Sequence, residues 1–131
     1  MNITSARHTV ELTNEEFVDL VDTAGYGIAY WAAAPCIVDD EADPPTYTVN
    51  HPEEPRAPRE ERLFDLEKSQ PGDQLSTVLT PNDLARACEA LLDGRVQVAD
   101  YIVGYIRNDD IDSVAGDTIV QVAIFGKLVF G

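Results

Sequence analysis

Three observations predict an α+β fold, a small antiparallel sheet packed against about four helices. Two threonine-led capping signals, at Thr13 and Thr80, each precede an apolar stripe at helical spacing. Segments rich in β-branched and aromatic residues cluster in the first half, broken by a stretch that holds five of the eight prolines. The 131 residues, 44% hydrophobic and 25% charged, suit one globular domain spanning 1–131, with no internal repeat.

His8–Leu12 (HTVEL) alternates weakly and reads as a short strand. Thr13 then opens a Thr-x-x-Glu capping box, and Phe17, Leu20, Val21 and Ala24 form the buried stripe of a first helix, which Gly25 and Gly27 are expected to end. Gly27–Val38 (GIAYWAAAPCIV) reads as a central strand bent at Pro35. Asp39–Pro58 reads as loop, with Thr46–Val49 (TYTV) alternating as a strand that pairs back on the YWA segment. Glu60–Leu66 reads as a third strand or a short turn, and Ser69–Gln74 as a turn.

The second half reads as helical. Thr80 is the N-cap of a helix with Pro81 at its first position, an apolar stripe at Leu84, Ala87, Cys88 and Leu91, and Gly94 as its stop. Val98, Tyr101, Ile102 and Tyr105 mark another helix. Asp112 or Ser113 caps a fourth, carrying Ala115, Ile119, Val122 and Ala123 up to Gly126, and Lys127–Phe130 (KLVF) is expected to add an edge strand.

The charge is lopsided: 24 acidic residues against 9 basic ones give a net −15, and only Lys68 and Lys127 are lysines. The acids fall into three blocks. Glu11, Glu15, Glu16, Asp19 and Asp22 form one without a cation; Asp39, Asp40, Glu41, Asp43, Glu53 and Glu54 form a second; Asp109, Asp110, Asp112 and Asp117 follow Arg107. On a helix, Glu15, Asp19 and Asp22 share a face, and like charges at that spacing cost ~0.2–0.5 kcal/mol per pair. Such a surface repels nucleic acid and anionic membranes and attracts cationic partners. A second explanation is salt adaptation, in which a halophilic protein carries the acidity for its environment alone.

No apolar run reaches the ~18 residues of a membrane span, and Met1–Arg7 carries no signal-peptide pattern. Cys36 and Cys88 read as reduced thiols of a cytoplasmic protein. The catalytic motifs are missing: no G-x-S-x-G, no phosphate loop, no dinucleotide-binding glycines, no H-E-x-x-H. His8 and His51 stand alone and read as surface or loop histidines, and Cys36 has no neighbouring histidine. Asp109, Asp110 and Asp112 lack the glycine and glutamate of a calcium loop, so they read as a helix–helix turn. No catalytic residue, metal site or cofactor is expected. Tyr26, Tyr30 and Trp31 are the aromatic candidates for a partner anchor; on a strand Tyr30 and Trp31 would point to opposite faces, one into the core.

Two segments, Gly25–Ala32 (GYGIAYWA) and Asp117–Gly131 (DTIVQVAIFGKLVFG), resemble a group of small accessory proteins of tailed viruses of actinobacteria and haloarchaea. The matching elements are Tyr30-Trp31-Ala32, Val120-Gln121 and Phe125-Gly126; Ala29 replaces an expected polar residue, and the proline-rich stretch 44–58 departs from the pattern. The resemblance covers about a third of the chain. It implies a viral or proviral accessory protein acting in the host cytoplasm and carries over no catalytic residue.

The residues and the resemblance lead to one main expectation: a non-catalytic acidic binding protein that occupies a basic, nucleic-acid-binding surface of a host protein, as a DNA mimic or anti-defence factor. Its partner-binding residues would be Glu15, Asp19, Asp22, Asp39, Asp40, Glu41, Asp43, Tyr26 and Trp31. Direct contact with nucleic acid or a membrane is not expected. The alternative is a salt-adapted virion or assembly component that forms oligomers by docking Leu128–Phe130 on a neighbouring sheet edge. A third reading, a small enzyme or nucleotide-sequestering protein, would need Arg86, Arg95 and Arg107 to converge in one pocket.

Overall fold

The computed structural model describes residues 1–4, 9–52 and 75–130. The expected strand or turn at Glu60–Leu66, the turn at Ser69–Gln74, and Glu53 and Glu54 lie outside these residues. The elements run β1 (Asn2–Thr4), β2 (Thr9–Glu11), α1 (Asn14–Ile28), β3 (Ala33–Asp39), β4 (Thr46–His51), β5 (Leu75–Leu79), α2 (Pro81–Leu92), α3 (Asp100–Arg107) and α4 (Ser113–Phe125). The fold is α+β: four helices with a two-stranded and a three-stranded antiparallel sheet.

Three of the helix starts follow local chemistry. Thr13 accepts from the Glu16 amide while the Glu16 carboxylate accepts from the Thr13 amide, closing the capping box. Thr80 and Asp83 repeat the device at α2, with Pro81 at the first position. Asp112 caps α4 through the Ala115 amide (2.8 Å), and Gly126 ends it in the left-handed region at φ 74°.

α4 is the centre of the molecule. Every residue from Ala115 to Val122 is buried, as expected of a helix apolar nearly all round. Its closest neighbour is α1, and two glycines set that approach. A Cβ on Gly27 would lie 2.1 Å from the Ser113 carbonyl oxygen, and one on Gly116 would lie 2.9 Å from Ala24 Cα. Here the expected end of the first helix is corrected. α1 runs through Gly25 and Gly27 to Ile28, because Gly27 serves the contact with α4 and the apolar stripe continues to Ile28.

The expected central strand is corrected accordingly. Residues 29–32 form a turn, and β3 begins only at Ala33. β4 pairs with β3 (Ile37 opposite Thr48, Asp39 opposite Thr46) and with β5 (Tyr47 opposite Leu79, His51 opposite Leu75). Tyr47, Val49 and His51 point inward, as the period of two requires. The surface or loop position expected for His51 is corrected: it is buried at the end of β4, with Nδ1 2.8 Å from the Pro52 carbonyl, Nε2 2.7 Å from Thr77 Oγ1, and its ring edge-on to Phe125. Strands β1 and β2 pair with each other. The Val10 amide donates to Glu89 Oε1 (3.0 Å), and Arg86 donates to the Val10 carbonyl (2.9 Å), so β2 is tied to α2.

Candidate interaction surface

The stripe read from the sequence forms on α1. Glu15, Asp19 and Asp22 are exposed at spacings of four and three residues, and Tyr26, 86% exposed, extends the row by another turn. No basic residue stands in the last turn of the helix. The three carboxylates span roughly 10 Å along the axis at 1.5 Å per residue.

The fold brings Asp109 of the third block to this helix. The Met1 ammonium forms ion pairs with Glu16 and with Asp109 Oδ2 (3.0 Å for the latter), so the third block meets the first around one cation. A cleft of about 250 Å³ beside this contact is lined by Glu16, Asp19 and Asp109 over Leu12, Leu20 and Ile111. Pro44, next to Asp43 of the second block, lines a cleft of about 290 Å³ together with Glu11 and Asn14. Within that block, Asp39 Oδ1 accepts from the amides of Glu41 and Ala42 (3.2 Å each), and Asp40, Glu41 and Asp43 are exposed.

Trp31 does not belong to this surface. It is 7% exposed, and its indole N–H donates to Asp117 Oδ1 at 2.6 Å. Because Tyr30 and Trp31 sit in a turn instead of a strand, their different exposures come from docking on α4 and not from strand alternation.

Sequence reasoning missed the polar cluster that holds Trp31. Asp117 is 7% exposed and Gln121 fully buried, one turn apart on α4. Gln121 Nε2 lies 3.0 Å from Asp117 Oδ1 and 2.9 Å from the Phe130 carbonyl, and its Oε1 accepts from the amides of Val129 (2.9 Å) and Phe130 (2.8 Å). The Tyr30 hydroxyl lies 3.0 Å from Asp117 Oδ2 and 2.9 Å from the Phe130 carbonyl. Burial, reinforced by the Asp117 hydrogen bond, pushes the Tyr30 hydroxyl pKa above its ordinary value. Phe130 stacks on Trp31 with ring centres 5.3 Å apart and planes within 5°. The expected edge strand at 127–130 is therefore corrected: these residues form no strand, and the last of them fold back on their own chain. One signal was legible, Asp117 and Gln121 at i, i+4 in a helix whose other polar residues are only Ser113 and Thr118.

Neither of these two clefts brings Arg86, Arg95 and Arg107 together. Arg86 pairs with Glu89 (2.9 Å) and Arg95 with Asp93 (3.4 Å), and the cleft that Arg86 lines contains neither Arg95 nor Arg107. Among the described residues, no group of three His, Cys, Asp or Glu is placed to hold a metal ion, and no helix is long and apolar enough to cross a membrane. Comparison with protein-family models, curated proteins and solved structures gives no match for this chain.

Proposed function

We propose that this chain is a non-catalytic acidic binding protein, a viral or proviral accessory factor acting in the host cell. Its α1 face would occupy a basic, nucleic-acid-binding surface of a host protein in place of phosphates. The observation that carries this reading is the uninterrupted row Glu15–Asp19–Asp22–Tyr26, exposed along one side of α1. The acidic loop 39–43 would widen the same negative field. Carboxylates attract a basic surface at long range and speed encounter, and an exposed tyrosine supplies the apolar contact that charge alone lacks.

The test uses the immobilised wild-type chain and its E15K/D19K/D22K variant, exposed to host lysate with and without duplex DNA as competitor. A basic protein held by the wild type, displaced by DNA and lost by the variant is the expected result. Equal retention by both chains refutes the reading. Thermal unfolding from dilute buffer to multimolar KCl separates it from the salt-adapted alternative. A chain that folds only at molar salt carries its acidity for the environment, and the binding reading then loses its main support.

A further inference from the structure

We infer that the partner surface is a single-strand groove, a basic channel floored with aromatic side chains that holds single-stranded nucleic acid, and not a duplex-reading face. The inference rests on the binding role proposed for α1 and names the kind of partner that role would serve.

Duplex DNA keeps the flat faces of its bases stacked inside and shows a protein phosphates and base edges. A single strand shows phosphates and base faces together. The proteins that hold it combine a cationic groove with aromatic side chains on which those faces stack. α1 offers the counterpart of the second combination. Glu15, Asp19 and Asp22 lead to Tyr26, four positions further along the same side. Tyr26 is the most exposed of the large hydrophobic side chains among the described residues. Tyr30, another four positions on, is 60% exposed although its hydroxyl is tied to Asp117 and to the Phe130 carbonyl. The row therefore carries negative charge and aromatic rings in line, and a partner's aromatic platform has a ring to stack on beside the charges that its cations meet.

The layout of the charge agrees. A duplex presents two strands of phosphates on either side of grooves about 12 Å and 6 Å wide, so its mimic needs two parallel rows. α1 carries one. Glu16, one position off that row, and Asp109 both pair with the Met1 ammonium, which reduces what they add to the field. A single file of carboxylates ending on exposed rings fits a narrow basic channel better than a broad duplex-binding face.

The test immobilises the full chain as wild type, Tyr26→Leu and Tyr26→Phe, loads host lysate at one salt concentration, and elutes the held protein with oligo-dT, oligo-U or a duplex of equal length. One of the single strands should release it at a concentration roughly tenfold below that of the duplex. Tyr26→Leu keeps apolar bulk without a ring and should hold the protein about tenfold more weakly, whereas Tyr26→Phe restores the hold. Release by the duplex at an equal or lower concentration overturns the inference, and so does a Tyr26→Leu chain that holds as firmly as wild type. In both cases the acidic binding reading stands, provided that E15K/D19K/D22K loses the protein. Retention by that triple variant, release by no nucleic acid, or no protein held at all refutes the reading itself and the inference with it. Tyr26 is exposed, so its variants should melt as the wild type does; if one does not fold, the elution order from the wild type decides alone.

Discussion

The Trp31 indole N–H donates to Asp117 Oδ1 at 2.6 Å, joining the turn behind α1 to the middle of α4 across 86 positions of sequence. Both partners are buried, so the bond is shielded from water. Tyr30 and Gln121 complete the set of donors around the carboxylate.

Replacing Asp117 by Asn should destabilise the fold by ~1–3 kcal/mol, because an amide turns a donor toward groups that already donate. The urea midpoint should fall without a change of slope, and Trp31 emission should shift in the native baseline. An unchanged midpoint would mean that the cluster contributes nothing to stability.

Gly27→Ala should cost about 1–3 kcal/mol, since its Cβ meets the Ser113 backbone and no flexible side chain can yield. Gly104→Ala is the matched control. Nothing lies within 4 Å of its Cβ, so added helix propensity should stabilise α3 by roughly 0.5–1 kcal/mol. Thermal melts of the two variants should move in opposite directions.

Burial pushes the Cys88 thiol up to about 12 from 9.0, with Asp109 and Glu89 adding to it. A raised folded pKa contributes stability that is complete below pH 9 and is lost as pH climbs toward the folded value. The loss should follow a slope of at most about 1.4 kcal/mol per pH unit for this group. Urea midpoints should therefore hold up to about pH 9 and fall above it, with a shallower fall in Cys88→Ala. At pH 8 a thiol reagent should leave Cys88 unmodified until the chain unfolds.

Asp19→Lys should raise stability in dilute buffer. It removes like-charge neighbours at Glu15, Glu16 and Asp22, each worth ~0.2–0.5 kcal/mol, and replaces them with attractions. The gain should fade at 1 M salt. A gain that persists at high salt would show that the effect is not electrostatic.

The helix caps were legible because they are local: Thr13, Thr80, Asp112 and Gly126 each act on residues within about one turn. The end of α1 was not, because Gly27 is needed for a backbone 86 positions away, and from sequence alone such a glycine resembles a stop. The YWA segment looked like a strand because its apolar side chains suit one; its burial comes from docking on α4. Strands β1 and β5 were missed because neither alternates clearly, and their pairing depends on neighbours. The acidic row on α1 was visible through its spacing alone. The joining of Trp31, Val129 and Phe130 to Asp117 and Gln121 was not, since these contacts exist only once distant residues have docked on α4.

The contact between Gly27 and Ser113 also governs how the charges of α1 are offered. With backbone wedged against backbone, α1 cannot roll about its long axis without a steric collision. The row from Glu15 to Tyr26 is therefore held at a fixed azimuth before any encounter. A helix free to swivel would lose orientational freedom on association, whereas this one surrendered it during folding, so a complex formed on that row starts with a smaller entropic deficit.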